Sequence, residues 1–377
     1  MKQITTILIS TLVLMMACVE PYAPHEIKSS DNNLVVDGFL NGSAGNAKVK
    51  LTHAIALSQN IPVPPEQGAK VTVEDVNGAT IALTETDKGI YTADNLNFNE
   101  TTAYRLHVET AGGADYTSDY IKLKKSPSLD SVVWRGSSKG LEFYVNGHDQ
   151  FNQTTFYRYL FTETWEFRAT YVSDWKKDEG KPVLRDPIKE QVYTCWRTQD
   201  SQEVLTVSTK KLSEDVVSMY PINFIPKGSR MLSRTYSIIV QQRAISQEEY
   251  EYWDLIRKTT ESLGGLFDPL PSQVPGNIHS DNNPSEQVLG YFTGGYVQEK
   301  RIFVKSVDIP GYLQVVDPYE FICETRKIPY GQPELSGSDV LLSTIGIPPT
   351  QWLVGTQNCS DCTTLAGVNI KPDFWPQ

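Results

Sequence analysis

Stretches in which apolar and polar residues alternate follow one another along much of the chain from residue 34 onward. In the stretch 104–110, Tyr104, Leu106 and Val108 fall on one side and polar residues on the other. A repeat of two residues is typical of a strand with one buried face. The pattern predicts a mainly β fold, whose first strands are residues 34–40, 47–54, 70–76, 80–85, 89–93, 104–110 and 115–123.

The spacing of the strands divides the chain into two β-rich parts. Short strands separated by turn residues predict an immunoglobulin-like β-sandwich over residues 34–125. The polar segment KKSPS ends it, and a larger β-rich domain is expected over residues 128–377. There, residues 156–172 alternate over a span that fits one long strand or a hairpin. The polar intervals 173–189 and 210–233 predict loops.

One prominent α-helix is predicted in the second part, over residues 246–263. Ser246 and Glu249 have the spacing of a capping box, and the pair Gly264-Gly265 supplies a stop. Apolar residues recur at helical spacing between these signals, so the helix is expected to pack one face on a sheet. That face carries Tyr250, Trp253, Ile256, Thr260 and Leu263.

The N-terminus has the pattern of an export signal. Residues 1–17 contain Lys2 and then an apolar run that is too short for a retained transmembrane helix. Ala17 followed by Cys18 resembles the lipobox of bacterial lipoproteins, so we expect cleavage before Cys18 and lipidation of that residue. An ordinary secretory signal is the alternative. Residues 18–33 are polar and lack periodicity, which predicts a tether between the anchor and the first strand.

Composition excludes two broad classes. The chain is 40% hydrophobic, which is enough to build apolar cores and argues against wholesale disorder. Its formal net charge is −11, so no general attraction to nucleic acid is expected.

Four cysteines remain after the expected lipid anchor: Cys195, Cys323, Cys359 and Cys362. Disulfides are the default in an oxidising cell envelope, and four cysteines allow three connectivities. The CxxC spacing near the C-terminus leaves two alternatives open, a zinc site built from all four thiolates and a redox-active pair.

Signs of catalysis are absent from the sequence. It contains no GxSxG elbow, no phosphate-binding P-loop and no dinucleotide fingerprint, and its five histidines are scattered. The run from Asp281 to Glu286 offers oxygen ligands for Ca²⁺, but its spacing departs from an EF-hand and favours a turn. We therefore expect no catalytic residues, no metal and no cofactor.

Several segments together resemble the family called domain of unknown function 4249. In the first half these are LVVDGFL, KVTVEDVNG, GIYTA and SPSLDSVVW; the second half adds YSIIVQQRAISQEEYEYWDL, NPSEQVLGYFTGGYVQEKRIFV and the closing NCSDCTT and KPDFW. The resemblance implies an outer-membrane lipoprotein of Gram-negative bacteria of the Bacteroidetes type, on the periplasmic or the outer face. It also implies an association with TonB-dependent transporters.

Three functions follow as hypotheses. The leading one is a non-enzymatic lipoprotein that serves a TonB-dependent transporter as an accessory or substrate-capture partner. The alternatives are a cell-envelope enzyme acting on polysaccharide or peptide, and a structural or adhesion lipoprotein. Trp and Tyr gathered in one concave patch would favour capture, whereas aromatics dispersed in the cores would favour a scaffold. The loop 265–278, with Leu266, Phe267 and Leu270, is the segment to examine for partner contacts; the favoured alternative is that it packs the helix back onto the sheet.

Overall fold

The structure of the chain, a computed structural model, describes residues 32–55, 61–261, 274, 276–315, 323–331 and 333–376. Strands dominate the regular structure and one long helix interrupts them, which confirms the mainly β fold class. The predicted signal peptide, Cys18 and residues 265–273 of the expected contact loop lie outside the described residues.

Most of the regular elements are short strands, numbered along the chain. The strands are β1 (Leu34–Asn41), β2 (Asn46–His53), β3 (Lys70–Asp75), β4 (Thr80–Asp87), β5 (Ile90–Ala93), β6 (Ala103–Glu109), β7 (Asp115–Ser118), β8 (Ile121–Lys122), β9 (Lys124–Lys125), β10 (Leu129–Gly136), β11 (Gly140–His148), β12 (Phe156–Arg168), β13 (Trp175–Asp178), β14 (Lys181–Leu184), β15 (Thr194–Asp200), β16 (Leu205–Ser208), β17 (Val216–Pro226), β18 (Thr235–Ala244), β19 (Ile278–Ser280), β20 (Leu289–Tyr296), β21 (Gln298–Lys305), β22 (Arg326–Pro329), β23 (Asp339–Ile345) and β24 (Gln351–Thr356). The helices are α1 (Gln247–Glu261) and α2 (Gln357–Ser360).

The N-terminal part is a single curled sheet of eleven strands. Its order is β19-β7-β6-β3-β4-β5-β2-β1-β20-β9, with β8 beside β6. The first half of β4 pairs with β3 and the second half with β5, so the sheet turns over and encloses one apolar core. In β6, Tyr104, Leu106 and Val108 are buried in this core, as the alternation predicts.

Two late strands complete this sheet. β20 lies parallel between β1 and β9, and β19 pairs with β7. Asn277 fixes the return of the chain, since its side chain donates to the Phe292 carbonyl (2.7 Å) and accepts from the Phe292 N–H (2.8 Å). The first sheet therefore contains strands from both sides of the predicted boundary at residue 125. Parallel pairing of distant segments has no local sequence signal, which is why the strand pattern places residues 278–296 in the second part.

A second core lies between two further sheets, β10-β11-β17 and β15-β12-β18-β21, with β16 beside β12. Residues 156–168 form one long strand, which settles the choice between strand and hairpin. The prediction of a loop over 210–233 is wrong, because this segment contains β17. Pro221 and Pro226 weaken the strand pattern there. They are tolerated because β17 is an edge strand in the part of the chain that the structure describes, and it pairs with β11 with two register shifts. The loop predicted over 173–189 contains the β13–β14 hairpin.

A third, small sheet, β22-β24-β23, packs on a cluster around Trp352. None of its three strands is predicted from the sequence.

Helix α1 begins as predicted but presents a different face. Ser246 Oγ accepts a hydrogen bond from the Glu249 N–H (3.1 Å), which is one half of a capping box. The Glu249 carboxylate points inward instead, where it accepts hydrogen bonds from Thr293 Oγ1 (2.5 Å) and Trp253 Nε1 (3.3 Å). Among the described side chains of the helix, Glu249 and Tyr252 are therefore the buried ones, whereas Thr260 of the predicted face is exposed. Leu263 of that face lies outside the described residues. A search for apolar spacing cannot find a face whose centre is a carboxylate.

A buried polar network joins the two sheets of the second core. Glu163 on β12 accepts hydrogen bonds from Tyr236 Oη (2.9 Å) on β18 and from Asn223 Nδ2 (3.0 Å) on β17. Burial raises the pKa of Glu163 above its ordinary value of 4.5, and the two hydrogen bonds offset only part of this effect.

This raised pKa predicts how stability depends on pH. The folded chain keeps the Glu163 proton at pH values where the unfolded chain has lost it, so unfolding releases a proton there. The contribution is complete below pH 4.5 and is lost as the pH rises through the folded pKa. Since Glu163→Gln cannot titrate, the melting temperature of the wild type should fall relative to that of the variant as the pH rises from about 4 to 8. Melting curves at matched pH values measure this difference, and parallel pH profiles would contradict it.

Candidate functional site

The four described cysteines form two disulfides, Cys195–Cys362 and Cys323–Cys359. The two cysteines of the CxxC segment are thus not bonded to each other, and each joins a distant part of the chain. All four sulfurs are consumed in pairs, which argues against the zinc-site and redox-pair alternatives. Among the described residues no group of three or more His, Cys, Asp and Glu side chains is arranged to hold a metal ion.

Each disulfide fixes one part of the C-terminal region. Cys323–Cys359 closes a loop around the small sheet β22-β24-β23. Cys195–Cys362 ties β15 to a 3-10 turn at Cys362–Leu365, which Asp361 caps by accepting from the Thr363 N–H (3.0 Å).

Beyond this turn the chain returns along the edge of β15. Trp196 and Val368 exchange both backbone hydrogen bonds at 2.8 Å. Gln191 donates to the Asn369 carbonyl (2.9 Å), and Asn369 donates to the Gln191 carbonyl (2.8 Å). Gly367 makes the approach possible, since a Cβ there would lie 2.5 Å from Phe167 Cζ and 2.6 Å from Cys195 Cβ.

The returning segment forms one wall of a groove of about 1320 Å³. The other walls come from the end of β12, the β13–β14 hairpin, residues 185–196 and β23. We call this cavity the C-terminal groove. Its volume exceeds that of a pocket for one small ligand, for which about 300–1,000 Å³ is usual.

Aromatic side chains gather in the C-terminal groove. Among its lining residues Trp175 and Tyr193 are half-buried, and Trp196 and Trp375 are buried. The Trp196 and Trp375 rings meet edge to face at 6.4 Å, while Trp175 packs edge to face on Trp352 at 4.9 Å. The C-terminal groove thus gathers four aromatic side chains around one concavity, two of them half-buried.

Two carboxylates of the groove are neutralised by the protein itself. Glu190 pairs with Lys176 and also accepts from the Asp186 N–H (3.0 Å), and these contacts, the lysine first, lower its pKa. Asp186 accepts from the backbone N–H groups of Lys189 (3.0 Å) and Ile188 (2.9 Å), which lowers its pKa in the same way. Both carboxylates are therefore ionised and locally compensated at neutral pH.

Other polar groups of the groove have no partner within the described residues. These are the ammonium groups of Lys305 and Lys371, the carboxylate of Asp174, and two buried nitrogens, Trp196 Nε1 and Arg168 Nε. Buried polar atoms are nearly always satisfied, so two unsatisfied donors in one wall are unusual.

The oxygens that the Asp281–Glu286 run offered as Ca²⁺ ligands accept hydrogen bonds from the protein itself. Asp281 accepts from Thr117 Oγ1 (2.8 Å). Glu286 accepts from Tyr116 Oη (2.6 Å) and Ser280 Oγ (3.2 Å). These oxygens anchor a turn beside β7, which agrees with the turn that the spacing favours.

The groove itself was missed by sequence reasoning. Its residues come from segments as distant as 166 and 376, and the connectivity that joins them is one of three that the cysteines allowed. The sequence signal that could have indicated the groove is Trp196 directly after Cys195, together with Trp375 in the segment that follows Cys362.

The sequence comparison identifies the family. The family domain of unknown function DUF4249 matches residues 19–301. The chain belongs to this family. The match spans the N-terminal sheet, helix α1 and β20, and it ends within β21. Much of the C-terminal groove, including Lys305, β23 and the returning segment, thus lies beyond the matched residues.

Other comparisons add little. No curated protein matches the sequence. A segment of two fibronectin type III domains from chicken tenascin is 11% identical, covers 57% of this chain and 93% of that chain, and has a TM-score of 0.18. A DUF4785 family protein from Legionella pneumophila is 14% identical, covers 55% of this chain and 51% of that chain, and has a TM-score of 0.18. Such low TM-scores support no conclusion. Among the described residues, no helix combines the length and apolar character needed to span a bilayer.

The disulfide between Cys195 and Cys362 should contribute strongly to stability. It closes a loop with a sequence separation of 167 residues, and removing such a link costs roughly 2–5 kcal/mol. We expect Cys195→Ala/Cys362→Ala to lower the free energy of unfolding in urea by this amount. Mass mapping of unreduced peptides from the wild type should show Cys195 linked to Cys362. A peptide linking Cys359 to Cys362 would contradict the structure.

The close approach at Gly367 gives a second prediction. In Gly367→Ala the new Cβ displaces the Phe167 ring or Cys195 Cβ, and such overpacking costs about 1–3 kcal/mol. The melting temperature should fall accordingly. Gly311→Ala is the matched control, because a Cβ at Gly311 meets no atom within 4 Å. Equal melting temperatures for the two variants would show that the returning segment is not packed against β15.

Proposed function

We propose that this chain is a non-enzymatic lipoprotein of the outer membrane, anchored through Cys18, that serves a TonB-dependent transporter as an accessory or substrate-capture partner. The observation that carries the proposal is the C-terminal groove, where four aromatic side chains and several unpartnered polar groups share one concavity.

The construction of the groove supports capture. Its walls are held by a disulfide, by paired backbone hydrogen bonds at Trp196, and by edge-to-face aromatic contacts. A site held in this way loses little conformational entropy when a ligand enters, so its contacts convert more fully into affinity.

The lipid anchor is supported by the sequence alone. Ala17-Cys18 follows a short apolar run, and several acyl chains on one residue give stable attachment, since each buried methylene contributes about 0.8 kcal/mol.

Purification from the native membrane tests the proposal. An affinity tag inserted in the exposed Gly112-Gly113 turn stays clear of the C-terminal groove, and open space surrounds Gly113. The tagged protein should fractionate with the outer membrane and, after mild detergent extraction, co-purify with a transporter barrel. Cys18→Ala with the same tag should lose both properties. Recovery of the wild type without any barrel protein would overturn the transporter partnership, and hydrolysis of polysaccharide or peptide by the purified chain would overturn the non-enzymatic assignment.

A further inference from the structure

The charges of the C-terminal groove are unbalanced in favour of cations. Glu190 is matched by Lys176, Asp186 by backbone N–H groups, and Glu166 by Arg168 at 3.7 Å. Lys305 and Lys371 are exposed and have no ion pair within the described residues. A chain of formal net charge −11 thus presents two free ammonium groups in this aromatic groove.

Arg185 adds a third cation to the lining, and its Nε donates to Ser173 Oγ (3.4 Å). Against these stand the carboxylate of Asp174, which has no ion-pair partner among the described residues, and that of Asp186, which keeps its negative charge although backbone N–H groups bind it. Three cations against two carboxylates leave a net positive field. The groove therefore complements a ligand that carries negative charge on oxygen.

The backbone of this wall is already occupied. The Trp196 N–H donates to the Val368 carbonyl, and the Trp196 carbonyl accepts from the Val368 N–H. The Thr194 N–H donates to the Gln191 side chain, which in turn donates to the Thr194 carbonyl. An extended peptide would need such groups to add itself as a further strand. The wall instead offers aromatic rings and hydroxyl groups, which suit a ligand made of rings and hydroxyls.

Trp175 and Tyr193 provide the ring surfaces. Both are half-buried, so part of each side chain remains open to the groove. The face of an aromatic ring is electronegative and attracts the polarised C–H bonds of a sugar ring. Thr194, Thr235, Ser343 and Thr344 place hydroxyl groups in the same lining.

We propose that the C-terminal groove binds an oligosaccharide that carries carboxylate groups, with sugar rings against Trp175 and Tyr193 and carboxylates at Lys305 and Lys371. This inference rests on the proposed capture function and names its ligand class.

Titration of the full-length lipoprotein in detergent micelles tests the inference. The probes are tetragalacturonate, neutral cellotetraose and the peptide tetraglutamate, and binding is followed by calorimetry and by tryptophan fluorescence. Tetragalacturonate should bind about tenfold more tightly than either other probe, because it alone offers both sugar rings for the aromatic side chains and carboxylates for the two exposed lysines. Its affinity should fall as salt rises from about 0.05 to 0.5 M, since exposed charges are screened.

Variants of the two lysines provide the specific control. Lys305→Gln/Lys371→Gln should weaken tetragalacturonate binding by about tenfold or more and leave cellotetraose unchanged. Lys50→Gln/Lys88→Gln removes the same charge from two exposed positions of the N-terminal part, one on β2 and one in the turn between β4 and β5, and should have no effect. All four lysines are exposed, so the variants are expected to fold.

The inference is overturned if cellotetraose or tetraglutamate binds as tightly as tetragalacturonate, if none of the probes binds, or if both lysine pairs behave alike. Its failure is separate from failure of the proposed function. If a transporter barrel co-purifies but the chain does not bind tetragalacturonate, only the proposed ligand class is refuted. If the chain binds tetragalacturonate specifically but no barrel co-purifies, only the transporter partnership is refuted.

Discussion

Strand β20 lies between β1 and β9 in the first sheet, and after the single residue Val297 the chain continues as β21 in the second core. One nearly continuous stretch of strand therefore belongs to both halves of the molecule. Val297 is buried, and its carbonyl accepts a hydrogen bond from Ser43 Oγ (3.0 Å). The two cores cannot separate without breaking the ladder of β20 or that of β21, so they form a coupled unit rather than independent domains on a linker.

Buried charges specify the geometry of this junction. Glu249 of α1 is bonded to Thr293 of β20, and burial raises its pKa. The guanidinium of Arg158 lies 3.5 Å from the Trp253 ring centre, and that of Arg243 lies 3.4 Å from the Phe39 ring centre. Burial lowers the pKa of Arg243 to about 9, which still leaves it charged at neutral pH. Desolvating these groups is costly, and the cost is offset only when helix, strand and aromatic rings are in register. An apolar contact of equal area would tolerate several positions of α1, whereas this network tolerates few.

Features that depend on neighbouring residues could be predicted from the sequence. Alternation in β6 placed Tyr104, Leu106 and Val108 inward, and Ser246 marked the start of α1, because both signals lie within a few residues. Prediction failed where distant contacts decide. The pairing of β20 with β1, the prolines tolerated on the edge strand β17, and the inward carboxylate of Glu249 each depend on what lies across the fold. The C-terminal groove is the extreme case, since its walls come from distant segments, two of which the disulfide Cys195–Cys362 joins.

The same strand that joins the cores also reaches the groove. β21 runs from Gln298 beside the junction to Lys305, which lines the groove and pairs with Thr235, another lining residue. At about 3.3 Å per residue its eight residues span about 25 Å. β1, the first strand after the proposed lipid anchor, is hydrogen-bonded to β20 along seven residue pairs. Strand pairing and one covalent step thus connect β1 to Lys305, with no loop of more than one residue between them. The groove therefore keeps a fixed orientation relative to the first strand, because each link between them is a strand ladder or a single residue.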